Sequence, residues 1–260
     1  MTEFLTFSQL TGWIGQYLWP FFRIGALFMA MPMLSSRVVT PRIRLVLAMA
    51  ITIIVAPLLS SVPTVEPLSA AALLITLQQL AIGFSMALIL QIYFAIFTSA
   101  GQMISMQMGL GMSIMMDPIN GVQIPVLSQV FQLLSFLMFL AVDGHLVVIS
   151  VLTESFFVLP VAPFQLSQIE LDSVPDLGGW LFASALLMVI PAMISLLAVS
   201  FTFGVMNRSA PQFNIFTLGF PLTMLGGLVI LMLVSSQFSG IFVEFTRAGL
   251  NALRDLLPPV

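Results

Sequence analysis

Cysteine is absent from the 260 residues, which excludes disulfides and thiolate metal sites. Lysine is absent too, so all seven basic residues are Arg. With ten acidic residues the net charge is −3, and nothing in that balance attracts nucleic acid. Charge of either sign is scarce. Asp, Glu and Arg make up 7% of the chain, against about 25% charged residues in a soluble domain. Residues 67–116, 118–142, 177–207 and 209–243 carry no charged side chain at all. Enzyme signatures are missing as well. There is no H-E-x-x-H and no G-x-S-x-G, and Gly109-x-Gly111 has neither a third glycine nor a strand before it. The single His is His145, and the scattered carboxylates have no metal-ligand spacing. The expectation is a non-enzymatic chain with no cofactor and no metal.

What is present is apolar surface, 60% of the residues. A run of ~20 apolar residues crosses a bilayer as a helix, so the charge-free stretches predict an all-α, polytopic integral membrane protein without a water-soluble domain. Glu3 and the lack of any basic residue before Arg23 argue against a cleavable signal peptide.

The first apolar block covers 4–35. Trp13, Tyr17, Trp19, Phe21 and Phe22 crowd its first half, as interfacial aromatics do. Pro20 is expected to end or kink a helix there, and Pro32 closes the block. Arg23 stands inside the block as an intramembrane charge. Such an Arg faces protein, water or an acidic partner, or snorkels from a helix end. Arg37, Arg42 and Arg44 then mark a cytoplasmic loop by the positive-inside rule.

A second span is expected over 45–62, ended by Pro57 and Pro63. A third is expected over 68–100, with a small-xxx-small step at Gly83 and Ala87 and a polar face of Gln91, Thr98 and Gln102 that should meet protein. A span over 122–142 stops at the turn Asp143-Gly144-His145. Residues 146–162 read either as a re-entrant arm or as a helix on the outer side. The acidic loop 165–176 is placed outside, and spans 177–206 and 215–239 form a hairpin. After Gly240 comes a short amphipathic tail with Glu244, Arg247, Arg254 and Asp255. Counting spans from a cytoplasmic Arg37–Arg44 loop puts the tail outside, against its own two Arg. Asp117, Asp143, His145 and Glu154 are the proton-relay candidates. Asp117 and Asp143 lie ~39 Å apart if joined by helix, so cap or loop roles fit them better.

The central stretch 101–118 holds six of the 18 Met residues. Met103, Met106, Met108, Met112, Met115 and Met116 are interrupted by Gly109 and Gly111, and Asp117-Pro118 stops the stretch. Glycine and proline break helices, and Met fills irregular gaps and re-packs readily. Broken backbone at membrane depth must be buried in protein or line a cavity. A deformable seal across a pathway satisfies that, and so does an ordinary Met-rich helix end. No internal repeat of the kind that builds inverted-repeat transporters is visible. A solute-coupled transporter acting alone is nevertheless the rival class, and an intramembrane enzyme would need a dyad that is not there.

Three segments carry a family resemblance: Arg23-Ile24-Gly25-Ala26-Leu27-Phe28 with Pro32, the Met/Gly stretch 101–121, and Asn207-Arg208-x-x-Pro211-Gln212-x-Asn214. The chain resembles the FliR family of flagellar export-gate proteins, which has counterparts in virulence type III secretion systems. That resemblance implies an inner-membrane subunit assembled with FliP and FliQ, with FlhB and FlhA adjoining, through which unfolded flagellar subunits are exported. It implies a FliP-like part over 1–176 and a FliQ-like hairpin over 177–260. It maps the pore plug onto 101–121, hence onto Met103, Met106, Met108, Gly109, Gly111, Met112, Met115 and Met116. Asn207, Arg208, Pro211, Gln212 and Asn214 are expected to hold a tight cytoplasmic turn against a partner. A plain positive-inside turn is the alternative for them. Helices of this family pack on partner subunits, so apolar length can report burial in a complex as well as lipid crossing.

Overall fold

A computed structural model describes residues 7–35, 39–59, 63, 65–66, 69–110, 125–162, 174–209 and 219–257. Among them every regular element is helical: α1 (Phe7–Ala30), α2 (Pro41–Val55) with a 3₁₀ turn at Ala56–Leu58, α3 (Ala70–Gln107), α4 (Val126–Ala141), α5 (Gly144–Val158), α6 (Val174–Ser209) and α7 (Phe220–Asp255). Three segments are long and apolar enough to cross a membrane, Pro41–Leu58, Ala70–Gln107 and Asp176–Met206, and up to five if the two broken pairs count. The chain is an all-α integral membrane protein.

Several boundaries differ from the sequence reading for local reasons. Helix α1 continues past Pro20 and does not end there. Membrane helices tolerate an internal proline because neighbouring groups re-satisfy the freed backbone. Pro41 opens α2 at its first position, where its missing N–H is no loss, so Arg42 and Arg44 belong to the helix and not to a loop. Arg44 donates to the Val39 carbonyl at 2.8 Å. Ser69 caps α3, its hydroxyl accepting from the Ala72 amide at 3.1 Å, and the helix then runs seven residues past the expected end at residue 100. The expected separate tail is the end of α7, which stays helical to Asp255 and bends by 71° between Leu233 and Phe238. Ser235 donates there to the Met232 carbonyl at 2.7 Å, a back-bond of the kind that bends helices. The tail is amphipathic as expected, with Phe242, Thr246 and Leu253 buried and Glu244, Arg247, Arg254 and Asp255 exposed.

The chain divides into two compact units. The first is Met1–Ile92, Asp143–Pro175 and Ala248–Val260, and the second is Tyr93–Val142 with Asp176–Arg247. In the first unit one face of α1 is buried (Trp19, Arg23, Ile24, Leu27, Phe28), as is Met31 just after it, and so are Ile75, Gln79, Ile82 and Met86 of α3 and Val148, Val151, Leu152 and Ser155 of α5. The core of the second unit is aromatic. Tyr93 lies edge-on to Phe94 and Phe97 at centroid distances of 4.8 and 5.4 Å, and Phe94 packs on Phe139 at 5.2 Å. Large apolar side chains remain exposed on α2 (Ile43, Val46, Ile54) and on α6 (Phe182, Leu187, Ile194, Phe201), as lipid-facing or partner-facing helices require.

Candidate functional site

The first unit is built around Arg23, which is 0% exposed. Its Nε donates to Gln79 Oε1 at 2.8 Å. One terminal nitrogen donates to the Ser155 carbonyl at 2.8 Å and to Ser155 Oγ at 3.1 Å, and the other donates to the Leu159 carbonyl at 2.8 Å. The Phe156 ring lies 4.2 Å beneath the guanidinium carbon. Among the described residues every partner is neutral, and none of them is a carboxylate. The compensation comes from the end of α5. Ser155 lies in its last turn and Leu159 is its C-cap; the Ser155 carbonyl also accepts from the Leu159 amide at 2.9 Å, and the macrodipole is negative at this end. The planar fork of Arg reaches an amide on α3 and two levels of that helix end at once, which a Lys ammonium does not.

Glycine makes the geometry reachable. A Cβ on Gly83 would overlap the backbone carbonyl of Arg23 and come within 2.9 Å of Ala26 Cβ. Helices α1 and α3 therefore cross backbone to backbone, as small residues permit in membrane proteins. The small-xxx-small step at Gly83 and Ala87 was readable from the sequence. The pairing of Gln79 with Arg23 was not, although an amide inside a charge-free apolar run is the signal that could have found it. Gln91, read as facing protein, donates to the Ala30 carbonyl at 2.8 Å, whereas Gln102 on the same expected face is exposed.

The second unit holds the start of the Met/Gly stretch. Helix α3 ends at Gln107, and Gly109 follows with φ 81°. The Leu110 amide bonds back to the Ser105 carbonyl at 2.9 Å and the Gly109 amide to the Met106 carbonyl at 3.0 Å. That pair of bonds is a Schellman ending, with glycine at the one position where a Cβ is penalised. Met103 is half-buried, Met106 is 64% exposed, and Met108 is 1% exposed. Met108 lies over α7, where a Cβ on Gly227 would meet its Cγ at 2.6 Å and its Sδ at 2.8 Å. The crossing of α3 and α4 is equally tight, since a Cβ on Gly101 would sit 2.7 Å from Ser128 Cα. A nearly wholly apolar cavity of about 490 Å³, bordered by Ile104, Phe131, Met188, Phe238 and Ser239 among others, opens within this unit. Gly111, Met112, Met115 and Met116 lie outside the described residues, as does Asp117.

Arg208 stands exposed in the last turn of α6, where a cation complements the helix dipole. Asn207 is in the same turn, and Pro211, Gln212 and Asn214 lie outside the described residues. Of the remaining ionisable candidates, Asp143 is exposed at the start of α5 with φ 57° and Glu154 is exposed on that helix. Among the described residues no three His, Asp or Glu side chains gather at a metal-binding distance.

Membrane-length helices that cross on glycine, a buried guanidinium held by neutral groups and a Met-rich helix end define a helical membrane component. Residues 14–248 match the family model described as bacterial export proteins, family 1, and the chain belongs to that family. It is 36% identical over 253 residues to the flagellar biosynthetic protein FliR of Escherichia coli (strain K12), covering 97% of each chain. To FliR of Pectobacterium carotovorum subsp. carotovorum it is 35% identical over 232 residues, 88% of each. The surface presentation of antigens protein SpaR of Shigella flexneri is 26% identical over 227 residues, 86% of this chain and 87% of that one.

Proposed function

We propose that this chain is a subunit of the flagellar type III protein export gate in the bacterial inner membrane. It assembles with FliP and FliQ next to FlhB and FlhA, and it conducts unfolded flagellar subunits without being an enzyme itself. The observation that carries this reading is likeness to flagellar FliR proteins across nearly the whole of both chains. The weaker likeness to SpaR leaves a virulence-system gate as the second reading. In the proposal, residues 1–176 form a FliP-like part and 177–260 a FliQ-like hairpin. The stretch 101–121 closes the conduit, its thioethers sealing both with and without a passing chain, which stiff β-branched side chains do less well. What supports this is the helix stop at Gly109 and the charge-free, Met-rich sequence around it. The turn after Arg208 contacts a partner subunit in the same reading, supported by the exposed apolar length of α6 that precedes it.

Purification in mild detergent followed by mass spectrometry tests the assembly. A gate subunit brings different chains with it. A lone monomer or a symmetric oligomer of this chain alone would favour a transporter instead. Crosslinking from residue 212 tests the turn: a protein adduct is expected, and capture of lipid alone would reduce the turn to a positive-inside signal.

A further inference from the structure

We infer that Met108 and Gly227 form a latch that fixes the end of α3 to α7 and must release for export. The inference rests on the proposed seal at 101–121 and adds the residue pair that controls it. Three observations carry it. Met108 is the residue at which α3 turns out of its helix, immediately before the left-handed Gly109. It is 1% exposed, whereas Met106, two positions earlier, is 64% exposed. Its side chain occupies the space that a Cβ at position 227 would need, with Cγ, Cε and Sδ at 2.6, 2.7 and 2.8 Å.

The contact through Cγ makes the seat selective. Cγ is bonded to the Met108 Cβ, so a rotation at the flexible far end of the side chain cannot clear it. A methyl at 227 therefore evicts the whole side chain. The contact is a thioether side chain against a glycine, with no side-chain hydrogen bond to break, so it can open and re-seat without leaving a side-chain polar group unsatisfied. Met is also the side chain best suited to re-seating, since it is unbranched and adaptable. Gly226 beside the socket meets only Val199 Cγ1, at 4.0 Å, so the notch belongs to position 227.

The test uses the full-length chain in a strain lacking its own relative, in intact gates. Because the chain has no Cys, Met108→Cys with Gly227→Cys introduces the only two thiols in the chain. Cγ at 2.6 Å from a Cβ at 227 puts the two Cβ atoms near the ~3.8 Å of a disulfide. Oxidation is expected to abolish maleimide labelling of the pair, to cut export of a flagellar substrate at least about tenfold, and to do so reversibly on reduction, with either single Cys variant indifferent to oxidant. A purely structural contact would be unharmed by bridging. A bridge that forms without slowing export, or a pair that never bridges, overturns the latch. Gly227→Ala supplies the opposite perturbation: about a tenfold rise in passive ion leak, the ratio given by about 1.4 kcal/mol of overpacking; Met108→Ala alone should leak likewise, and combining the two should add little, whereas additive leaks would overturn the pair. Deleting 111–116 separates the two ideas. A deletion that does not leak refutes the seal itself. A deletion that leaks, beside a Gly227→Ala gate that does not, refutes the latch alone.

Discussion

The two compact units solve the problem of holding apolar helices together in opposite ways. In the first, α1, α3 and α5 are tied by one guanidinium with four directional hydrogen bonds, and α1 and α3 touch through backbone at Gly83. Such bonds tolerate little displacement, because a shift of about 1 Å takes a hydrogen bond out of range and leaves a buried acceptor without its donor. In the second, the corresponding places are filled by rings and a thioether. Phe94, Phe97, Phe139 and Phe242 surround Tyr93, and Met108 rests in the notch at Gly227. Dispersion contacts are non-directional and re-form after sliding. The difference separates a unit tied by directional bonds from one held mainly by dispersion, and the stretch proposed to move begins in the second.

The largest effect is expected from removing the tie. Arg23→Ala strips the guanidinium from Gln79 Oε1 and from the Leu159 carbonyl, at about 1–3 kcal/mol for each orphaned group. The two groups together, about 2–6 kcal/mol, are a large share of the ~5–15 kcal/mol by which a folded protein is stable at all. The full-length chain should fail to accumulate in membranes on an immunoblot, and normal accumulation would contradict the anchoring role. Arg23→Lys keeps the charge but loses the fork, so partial accumulation is expected. If Lys restored the wild-type level, charge and not geometry would be the requirement. Next in size is Gly83→Ala. Its methyl would meet backbone at Arg23, which cannot rotate away, so a loss of about 1–3 kcal/mol should lower the yield of detergent-extracted chain. The same change at Gly178, which has nothing within 4 Å of a Cβ, should leave the yield unchanged. Equal yields at the two positions would break the contrast between a crossing glycine and a free one.

How much of this was legible in the sequence depended on whether the cause was local. The membrane class, the helix stop at Gly109, the small step at Gly83 and the amphipathic end of the chain follow from residue type and spacing, and all were readable. Pro20 does not end its helix, since a membrane helix can re-satisfy a freed carbonyl through its surroundings, which no local pattern reports. The cage around Arg23 joins residues 56 to 136 positions apart in sequence. Its most important acceptors are backbone carbonyls, which have no signature in a sequence because every residue has one. The seat of Met108 was invisible for a related reason. Met is equally at home in a core and on a sliding surface, so six of them in a row of eighteen residues could not say which one is held.

The smallest effect sharpens the comparison from the side of the second unit, where Tyr93 of the aromatic core also makes a directional bond. Tyr93 Oη lies 2.6 Å from Thr246 Oγ1. Thr246 Oγ1 in turn donates to the Phe242 carbonyl at 2.8 Å. A hydroxyl has one proton, and that of Thr246 is committed to Phe242, so Tyr93 is the donor of the pair. The two single substitutions are therefore unequal. Tyr93→Phe removes a donor and leaves Thr246 bonded through its own proton, a loss of about 1 kcal/mol or less. Thr246→Val removes the acceptor and strands the buried tyrosine hydroxyl, at about 1–3 kcal/mol. Adding Tyr93→Phe to Thr246→Val should recover part of that loss, because no polar atom is then left over. The apparent melting temperature of the purified assembly would register the order, at about 2–4 °C per kcal/mol for a chain of this size. If Tyr93→Phe proved the more damaging change, the proton would run the other way. The hydrogen bond would then be a structural tie comparable to Arg23, and the second unit could not be the looser of the two.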